Sequence, residues 1–279
     1  ASDPEVPGAF VSIGSSLACK TSAYRPAFFT AVDDHTIGEA VGSGSISPGT
    51  YYANPALMLW YSSTTLSHLR FRYCSAAVEI LDDGASSFSV SHSQFVQCLR
   101  GIVLGDLGSG GSASLGGCGN GTLTVNNCLM SQVAYPLEAS YPYQCWQARL
   151  AHCTIDQATR LVTYLGDQTS SFRFTNSVLA NVSAVGNGTY CSVSGSHNGF
   201  YNSAQFGASP FTPADAGSPF RSIVGSGAYY LTETSGFRDR GTTASLSSSL
   251  IADLQKGATD PPVVMGAISS DATWRAQAR

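Results

Sequence analysis

The chain has 279 residues, of which 11% are charged and 10% aromatic, and its formal net charge is −4 at pH 7. Because an average soluble domain carries roughly 25% charged residues, a fold of long amphipathic helices is excluded, and the aromatic content excludes a disordered chain. The acidic balance argues against a nucleic-acid partner, and no apolar run is long enough for a transmembrane helix. The abundant Ser, Thr, Gly and Asn favour an all-β domain.

Residues 1–54 contain no internal repeat, and we predict that they form an N-terminal capping segment. The chain starts at Ala1 without Met or an apolar leader, which is typical of a processed secreted protein. Its eight cysteines lack CxxC and zinc-finger spacings, so they favour an oxidising compartment and some disulfides. The alternative is that several are buried free thiols. We expect a secreted or cell-surface protein.

Five segments of about two dozen residues repeat after residue 68. One apolar position recurs at Phe71, Val90, Val125, Leu150 and Phe174, with spacings of 19, 35, 25 and 24 residues. The long spacing contains a Gly/Ser-rich stretch, GDLGSGGSASLGGCGNG. Each unit reads as an alternating strand, a polar corner, a second apolar run and a turn. Such a short unit cannot bury its own apolar face, so we expect the units to stack as a solenoid.

The predicted corner carries Asn or His in most units. Two residues after the apolar position come Tyr73, His92, Asn127, His152 and Asn176. Stacked coils would align these side chains in a ladder that we expect to satisfy corner backbone groups. A β-sandwich is the alternative fold, but the repeat favours a β-helix.

The five units resemble coils of a right-handed parallel β-helix, the pectin-lyase-like fold. The segments HNGFYNSAQFG, GSGAYYLTETSGFRDRGTT and LIADLQKGATDPP, starting at His197, Gly225 and Leu250, resemble the closing region of secreted bacterial β-helix proteins of uncharacterised function. The resemblance implies a β-helix over residues 55–265, closed from about residue 197, with a tail at 266–279. Its motifs specify a fold and leave the activity open.

An acidic residue follows the second apolar run of four units. Stacking would bring Asp82, Asp106, Glu138 and Asp167 to one edge of the solenoid, one coil apart. Such carboxylates would suit Ca²⁺, or acid–base chemistry on a sugar with Asp82, Asp106 and Asp167 as the catalytic candidates. The alternative is that Asp and Gly occur there because a turn does. We expect no cofactor unless this row binds calcium.

A second row is basic, because Arg70, Arg149 and Arg173 each precede the apolar position and should point outward. Such a row would suit an acidic sugar or a protein partner, although exposed arginines also keep a sheet soluble. Three aromatic residues, Tyr141, Tyr143 and Trp146, form either a binding surface or packing at the ends of the solenoid.

We therefore predict a secreted structural or adhesive β-helix that associates with itself or with other surface proteins. The rows of uncharged polar residues, the low charge and the absence of a recognised catalytic motif favour this function over an enzyme. The alternative is a polysaccharide lyase, a glycoside hydrolase or a carbohydrate-binding module that acts on acidic glycans. The fold alone does not choose between them.

Overall fold

The protein is an all-β parallel solenoid in this computed structural model, as the repeat predicts. The structure describes residues 10–243 except 16, 40, 48, 61, 83–85, 107–118, 141–143, 167, 215–216 and 222–228, together with residues 248 and 251. In that part of the chain, no helix is long and apolar enough to cross a membrane.

Three parallel sheets run along the solenoid. Sheet 1 contains β1 (Val11–Ile13), β3 (Leu57–Trp60), β6 (Ala76–Asp82), β9 (Arg100–Asp106), β12 (Tyr135–Ala139) and β15 (Val162–Tyr164). Sheet 2 contains β4 (Thr64–Ser67), β7 (Ser87–Ser91), β10 (Gly119–Asn126), β13 (Gln144–Ala151), β16 (Ser170–Thr175) and β18 (Cys191–Ser196). Sheet 3 contains β2 (Ala27–Phe29), β5 (Leu69–Arg72), β8 (Gln94–Val96), β11 (Leu129–Ser131), β14 (Thr154–Ala158), β17 (Val178–Val182) and β19 (Gly199–Tyr201).

In the part of the chain that the structure describes, six coils begin, at β4, β7, β10, β13, β16 and β18, and each visits sheet 2, then sheet 3. The first four coils then add a strand to sheet 1. The second apolar run of the sequence repeat therefore corresponds to two strands, one in sheet 3 and one in sheet 1, which are joined by a corner. The chain before the first coil contributes β1 and β3 to sheet 1 and β2 to sheet 3.

The register corrects the alignment of the first unit. Leu66 in β4, and not Phe71, is in register with Val90 in β7. Phe71 lies in sheet 3 opposite Phe95. The first spacing is therefore 24 residues, from 66 to 90, instead of 19. The alignment failed because the segments before and after a corner show the same alternation of apolar and polar residues.

Like residues stack along the interior of the solenoid. The rings of Phe29, Phe71 and Phe95 form a stack with centroid distances of 4.8 and 5.1 Å. Phe71 and Phe95 are fully buried, as are Phe172 and Phe174 in sheet 2. The core is thus a set of apolar columns, each built from in-register positions of successive coils.

Two corners of each coil, the one between sheets 2 and 3 and the one between sheets 3 and 1, contain a non-glycine residue whose backbone lies in the left-handed region. Their φ angles lie between 46° and 59°. The corner between sheets 2 and 3 uses His68, His92, Asn127, His152, Asn176 and His197. The corner between sheets 3 and 1 uses Tyr73, Gln97, Gln132, Gln157, Asn181 and Asn202, a row that the repeat alignment did not identify.

The Asn/His ladder exists, but its side chains bond to one another. The Asn127 amide donates to Nδ1 of His92 over 2.9 Å, and the Asn176 amide donates to Nε2 of His152 over 3.2 Å. The corner N–H of His92 instead donates to the backbone carbonyl of Asn126 in the next coil. Inter-coil backbone bonds therefore satisfy the corner donors that we had assigned to the ladder.

The left-handed conformation predicts that a β-branched side chain destabilises the protein more at a corner than within a strand. A left-handed conformation costs an L residue roughly 1–2 kcal/mol, with β-branched residues the worst affected. Gln97→Val should therefore lower the free energy of unfolding by about 1–2 kcal/mol, whereas Gln97→Gly should leave it nearly unchanged. Urea unfolding measures both. Ser89→Val in β7 is the control, and an equal loss there would contradict the corner explanation.

Candidate functional site: the outward face of sheet 2

The outward surface of sheet 2 is an array of uncharged polar side chains interrupted by two arginines. Residues alternate strictly in β16, where Phe172 and Phe174 point into the core and Ser171 and Arg173 are exposed. The central outward row over the six strands reads Thr65, Ser89, Thr124, Arg149, Arg173 and Ser194. We call the outward side of sheet 2 the hydroxyl face, because Ser and Thr also dominate its flanking rows.

Arg149 and Arg173 are the feature of this face with the clearest chemical meaning. They are in register on the adjacent strands β13 and β16, and both are exposed. Neither side chain makes an ion pair or hydrogen bond with any residue that the structure describes. The six strands of sheet 2 contain no Asp or Glu. Since like charges on neighbouring strands repel, an anion placed between the two guanidinium groups would lower the energy of the pair.

Arg70 does not belong to this row. It lies in β5 of sheet 3, in register with Gln94, and is 2% exposed. Its Nη1 donates to the carbonyl oxygens of Leu69 and His92, each over 3.1 Å. The prediction of an outward row of three arginines is therefore wrong for Arg70, since it depended on the misaligned first unit.

The acidic row is only partly assembled. Asp82 and Asp106 are in register at the ends of β6 and β9, as expected. Glu138 is instead in register with Val103, three positions earlier along the sheet, so its predicted place beside Asp106 is wrong. Leu137 pairs with Ile102, whereas the predicted row required it to pair with Gly105. Asp167 and the side chain of Asp106 lie outside the described residues.

Asp82 bonds to the chain a few residues beyond its own strand. Its side chain is fully buried, and Oδ2 accepts the backbone N–H of Ser86 over 3.1 Å. That contact gives the Asp82 carboxylate a local structural partner. Among the described residues, no group of three His, Cys, Asp or Glu side chains gathers in a way that suits a metal ion.

Trp146 belongs to the core. It is 2% exposed, and its ring centroid lies 6.3 Å from that of Phe88. The packing alternative thus holds for Trp146, and its place in a binding surface is wrong. Tyr141 and Tyr143 lie outside the described residues.

A second polar cluster, which the sequence did not reveal, lies on the outward side of sheet 1. Glu79 and Glu138 share one register row, with Val103 between them. Nη1 of Arg100 lies 3.3 Å from Oε1 of Glu138, and its Nη2 donates to Asn54 over 2.7 Å. Burial raises the pKa of Glu79, Arg100 lowers it, and the charge of Glu138 raises it further.

The cluster holds two carboxyl groups in different environments around one guanidinium. Acid–base chemistry on a glycosidic bond uses two carboxyl groups whose environments favour different protonation states. The sequence hid the cluster because its residues are 21 to 59 positions apart, and only the coil register brings them together.

Two further polar clusters attach the terminal segments to sheet 3. Arg72 is 5% exposed and pairs with Asp34 over 3.1 Å, so the segment before the coils is held by a buried ion pair. The neighbouring Asp33 accepts the backbone N–H of Gly44, and His35 contacts the carbonyl of Gly42. The Asp-Asp-His sequence therefore makes structural contacts.

On the same sheet, Asp156 anchors the segment after the coils. Its Oδ2 accepts the hydroxyl of Tyr229 over 2.9 Å, and its Oδ1 accepts the amide of Asn181 over 2.8 Å. The Tyr229 hydroxyl also contacts that of Ser131. Burial raises the pKa of Tyr229, with a further rise from Asp156 against a lowering by Ser131. Tyr229 therefore acts here as a neutral hydrogen-bonding group.

Six of the eight cysteines are free thiols, so the expectation of disulfides fails for them. They are Cys19, Cys74, Cys98, Cys128, Cys153 and Cys191. Four of these are buried in the solenoid. The alternative of buried free thiols therefore describes them correctly.

Comparisons of the chain with protein-family models, with curated proteins and with solved structures found no match. The parallel β-helix thus stands on the coordinates and on the internal repeat, and the function has to be argued from the surfaces described above.

The raised pKa of Glu79 predicts a pH-dependent stability. The folded protein holds this proton to higher pH than the unfolded chain, so the free energy of unfolding falls as pH rises through that interval. Glu79→Gln should therefore be more stable than the wild type at neutral pH, and the gain should vanish below about pH 4. Urea unfolding at a series of pH values tests this.

Glu138→Gln is the matched control, because it removes the partner of Arg100 and should lower stability at neutral pH. A gain for Glu79→Gln that persists unchanged at low pH would contradict burial of the carboxylate as the cause.

Proposed function

We propose that the protein is an extracellular adhesive β-helix that binds an anionic polysaccharide on the hydroxyl face. The observation that carries this proposal is the in-register pair Arg149 and Arg173, exposed and without an acidic partner among the described residues. Two adjacent like charges destabilise a sheet face that has only a structural role. A bound anion would be attracted to both guanidinium groups and would offset their repulsion. The extracellular location is part of this proposal and rests on the composition of the chain.

The shape and chemistry of the face favour an extended ligand over a small one. Six parallel strands, spaced about 4.8 Å apart, present Ser and Thr hydroxyls that can donate to and accept from sugar hydroxyls. Each guanidinium offers a planar fork that fits a carboxylate or sulfate in a bidentate manner. A polysaccharide lying along the solenoid axis would meet both arginines in succession and hydroxyl groups on either side.

Self-association is the second part of the proposal, and the N-terminal end of the solenoid supports it. Exposed large apolar side chains gather in the first 41 residues, at Phe10, Val11, Tyr24, Phe28, Val32 and Val41. Val11 occupies an inward register position opposite Leu57 and is nevertheless 49% exposed, because it lies in the edge strand β1. A second copy that docks here would cover such side chains and the open edge of β1.

An enzyme that cleaves acidic glycans is the alternative. It is now supported by Glu79, Arg100 and Glu138 on sheet 1 instead of by the predicted acidic row, because the half-buried Glu79 shares a register row with a carboxylate that is paired with arginine. Binding without cleavage requires only the hydroxyl face, so the two functions depend on different sheets.

The arginine pair can be tested by binding to immobilised uronic-acid, sulfated and neutral polysaccharides. The double variant Arg149→Gln/Arg173→Gln should bind the anionic chains at least about tenfold more weakly, because each charge-assisted contact contributes roughly 1.5–3 kcal/mol. Binding should also weaken with salt. The matched control Arg25→Gln/Arg238→Gln makes the same change of net charge at exposed sites outside sheet 2.

An equal loss in the control would indicate nonspecific charge attraction, and equal binding of the neutral chain would contradict an anion site. Shortening of a bound polysaccharide that stops in Glu79→Gln would support the enzyme instead.

Self-association can be measured by sedimentation velocity over a range of protein concentrations. Phe28→Ser/Val32→Ser changes two exposed side chains near the N-terminal end, so it should shift the equilibrium to monomer without lowering the unfolding free energy. Tyr230→Ser is the control at an exposed aromatic residue elsewhere. A wild-type chain that stays monomeric at the highest concentration would contradict this part of the proposal.

A further inference from the structure

Two pairs of free cysteines stack on neighbouring coils of the solenoid. Cys74 and Cys98 occupy equivalent positions in the first and second coils, between strand residues that are in register on either side. Cys128 and Cys153 occupy equivalent positions in the third and fourth coils, just before in-register strands. All four are at most 3% exposed.

The spacing of equivalent positions suits a covalent bond. Parallel strands lie about 4.8 Å apart, within the range of roughly 4.4–6.8 Å that disulfides span between Cα atoms. Cys74 and Cys98 also share one orientation, since their thiols donate to the carbonyls of Arg72 and Val96, two residues earlier, over 3.3 and 3.5 Å. A hydrogen bond with Cys98, together with burial, raises the pKa of the Cys74 thiol, which lowers its thiolate fraction and slows its reaction at neutral pH.

Only the first of these pairs adjoins the cavity at the N-terminal end of the solenoid. This cavity has a volume of about 140 Å³, and Cys74 lines it together with apolar residues that include Val11, Phe29 and Ala53. Cys128 and Cys153 do not line it and lie further along the solenoid. The chain therefore contains two similarly placed thiol pairs that differ in their access to a small reagent.

We propose that Cys74 and Cys98 are a redox-sensitive modification site, which a low-molecular-weight disulfide oxidises to a disulfide that joins the first two coils. One protein thiolate attacks the reagent, breaks its S–S bond and releases one thiolate. The second protein thiolate then attacks the resulting mixed disulfide at the protein sulfur and releases the other. Two protein thiols are oxidised, one reagent disulfide is reduced, and the two protons end on the released thiols.

The bond would tie the first coil covalently to the second. It closes a loop between residues 74 and 98 and so constrains the unfolded chain. The Tm should rise by roughly 5–10 °C for a chain of this size. This modification is independent of polysaccharide binding, because neither cysteine lies in sheet 2.

The experiment treats the folded, full-length protein with 2-hydroxyethyl disulfide, quenches with acid, alkylates the remaining thiols in denaturant and maps the peptides by mass spectrometry. The expected product links Cys74 to Cys98 with the loss of two hydrogens, forms before any Cys128–Cys153 link, and loses its Tm gain on reduction. Cys98→Ala should stop at a mixed disulfide on Cys74. Cys128→Ala/Cys153→Ala should leave the link intact.

Three results would overturn the proposal. The first is survival of both Cys74 and Cys98 as free thiols at full reagent excess. The second is a wild-type mixed disulfide that persists on Cys74 without reacting further. The third is cross-linking of both thiol pairs at the same rate, which would indicate oxidation through general unfolding. Peptide mapping of the wild type distinguishes these outcomes even where a variant fails to fold.

Discussion

The whole molecule depends on one constraint, the in-register parallel hydrogen bonding of each coil to the next. Every coil has to return to the same register, and the chain does this by placing two residues of each coil in the left-handed conformation. Asn and the other polar residues that tolerate this conformation are therefore required by the backbone. Their N–H groups donate to the next coil, as in His92 to Asn126 and Gln97 to Ser131. The corner side chains remain available to bond to one another.

Stacking also explains the low charge of the chain. An ionised residue in a column would meet its counterpart in the next coil about 4.8 Å away, so most columns use hydroxyls, amides or apolar groups. Where a charge is buried, a specific partner accompanies it, as Asp34 does for Arg72. Arg149 and Arg173 depart from this pattern, because they are neighbours of like charge on an open face. This departure is the basis of our proposal that the hydroxyl face binds an anion.

The sequence was sufficient to predict the fold class, because apolar positions such as Val125 and Leu150 recur with the period of a coil. It was insufficient to place the first coil, since Leu66 and Phe71 lie in equally alternating segments on either side of the corner at His68. It also could not reveal that Glu79 and Glu138 share a row, or that Asp156 binds Tyr229. Those contacts depend on exact register and on how a distant segment folds back, and no local pattern encodes either.

The same register brings residues at equivalent positions of neighbouring coils close together, and such a pair has chemical properties that one residue alone lacks. One arginine on a sheet is a solubilising charge, and one buried cysteine is a small apolar residue. Repetition of either residue at the equivalent position of the next coil fixes two groups at the strand spacing. The chain does this with arginine on an exposed face, where the pair suits an external anion, and with cysteine in the core, where the pair suits a bond between coils. Pairs of this kind can be recognised only after the coils are aligned.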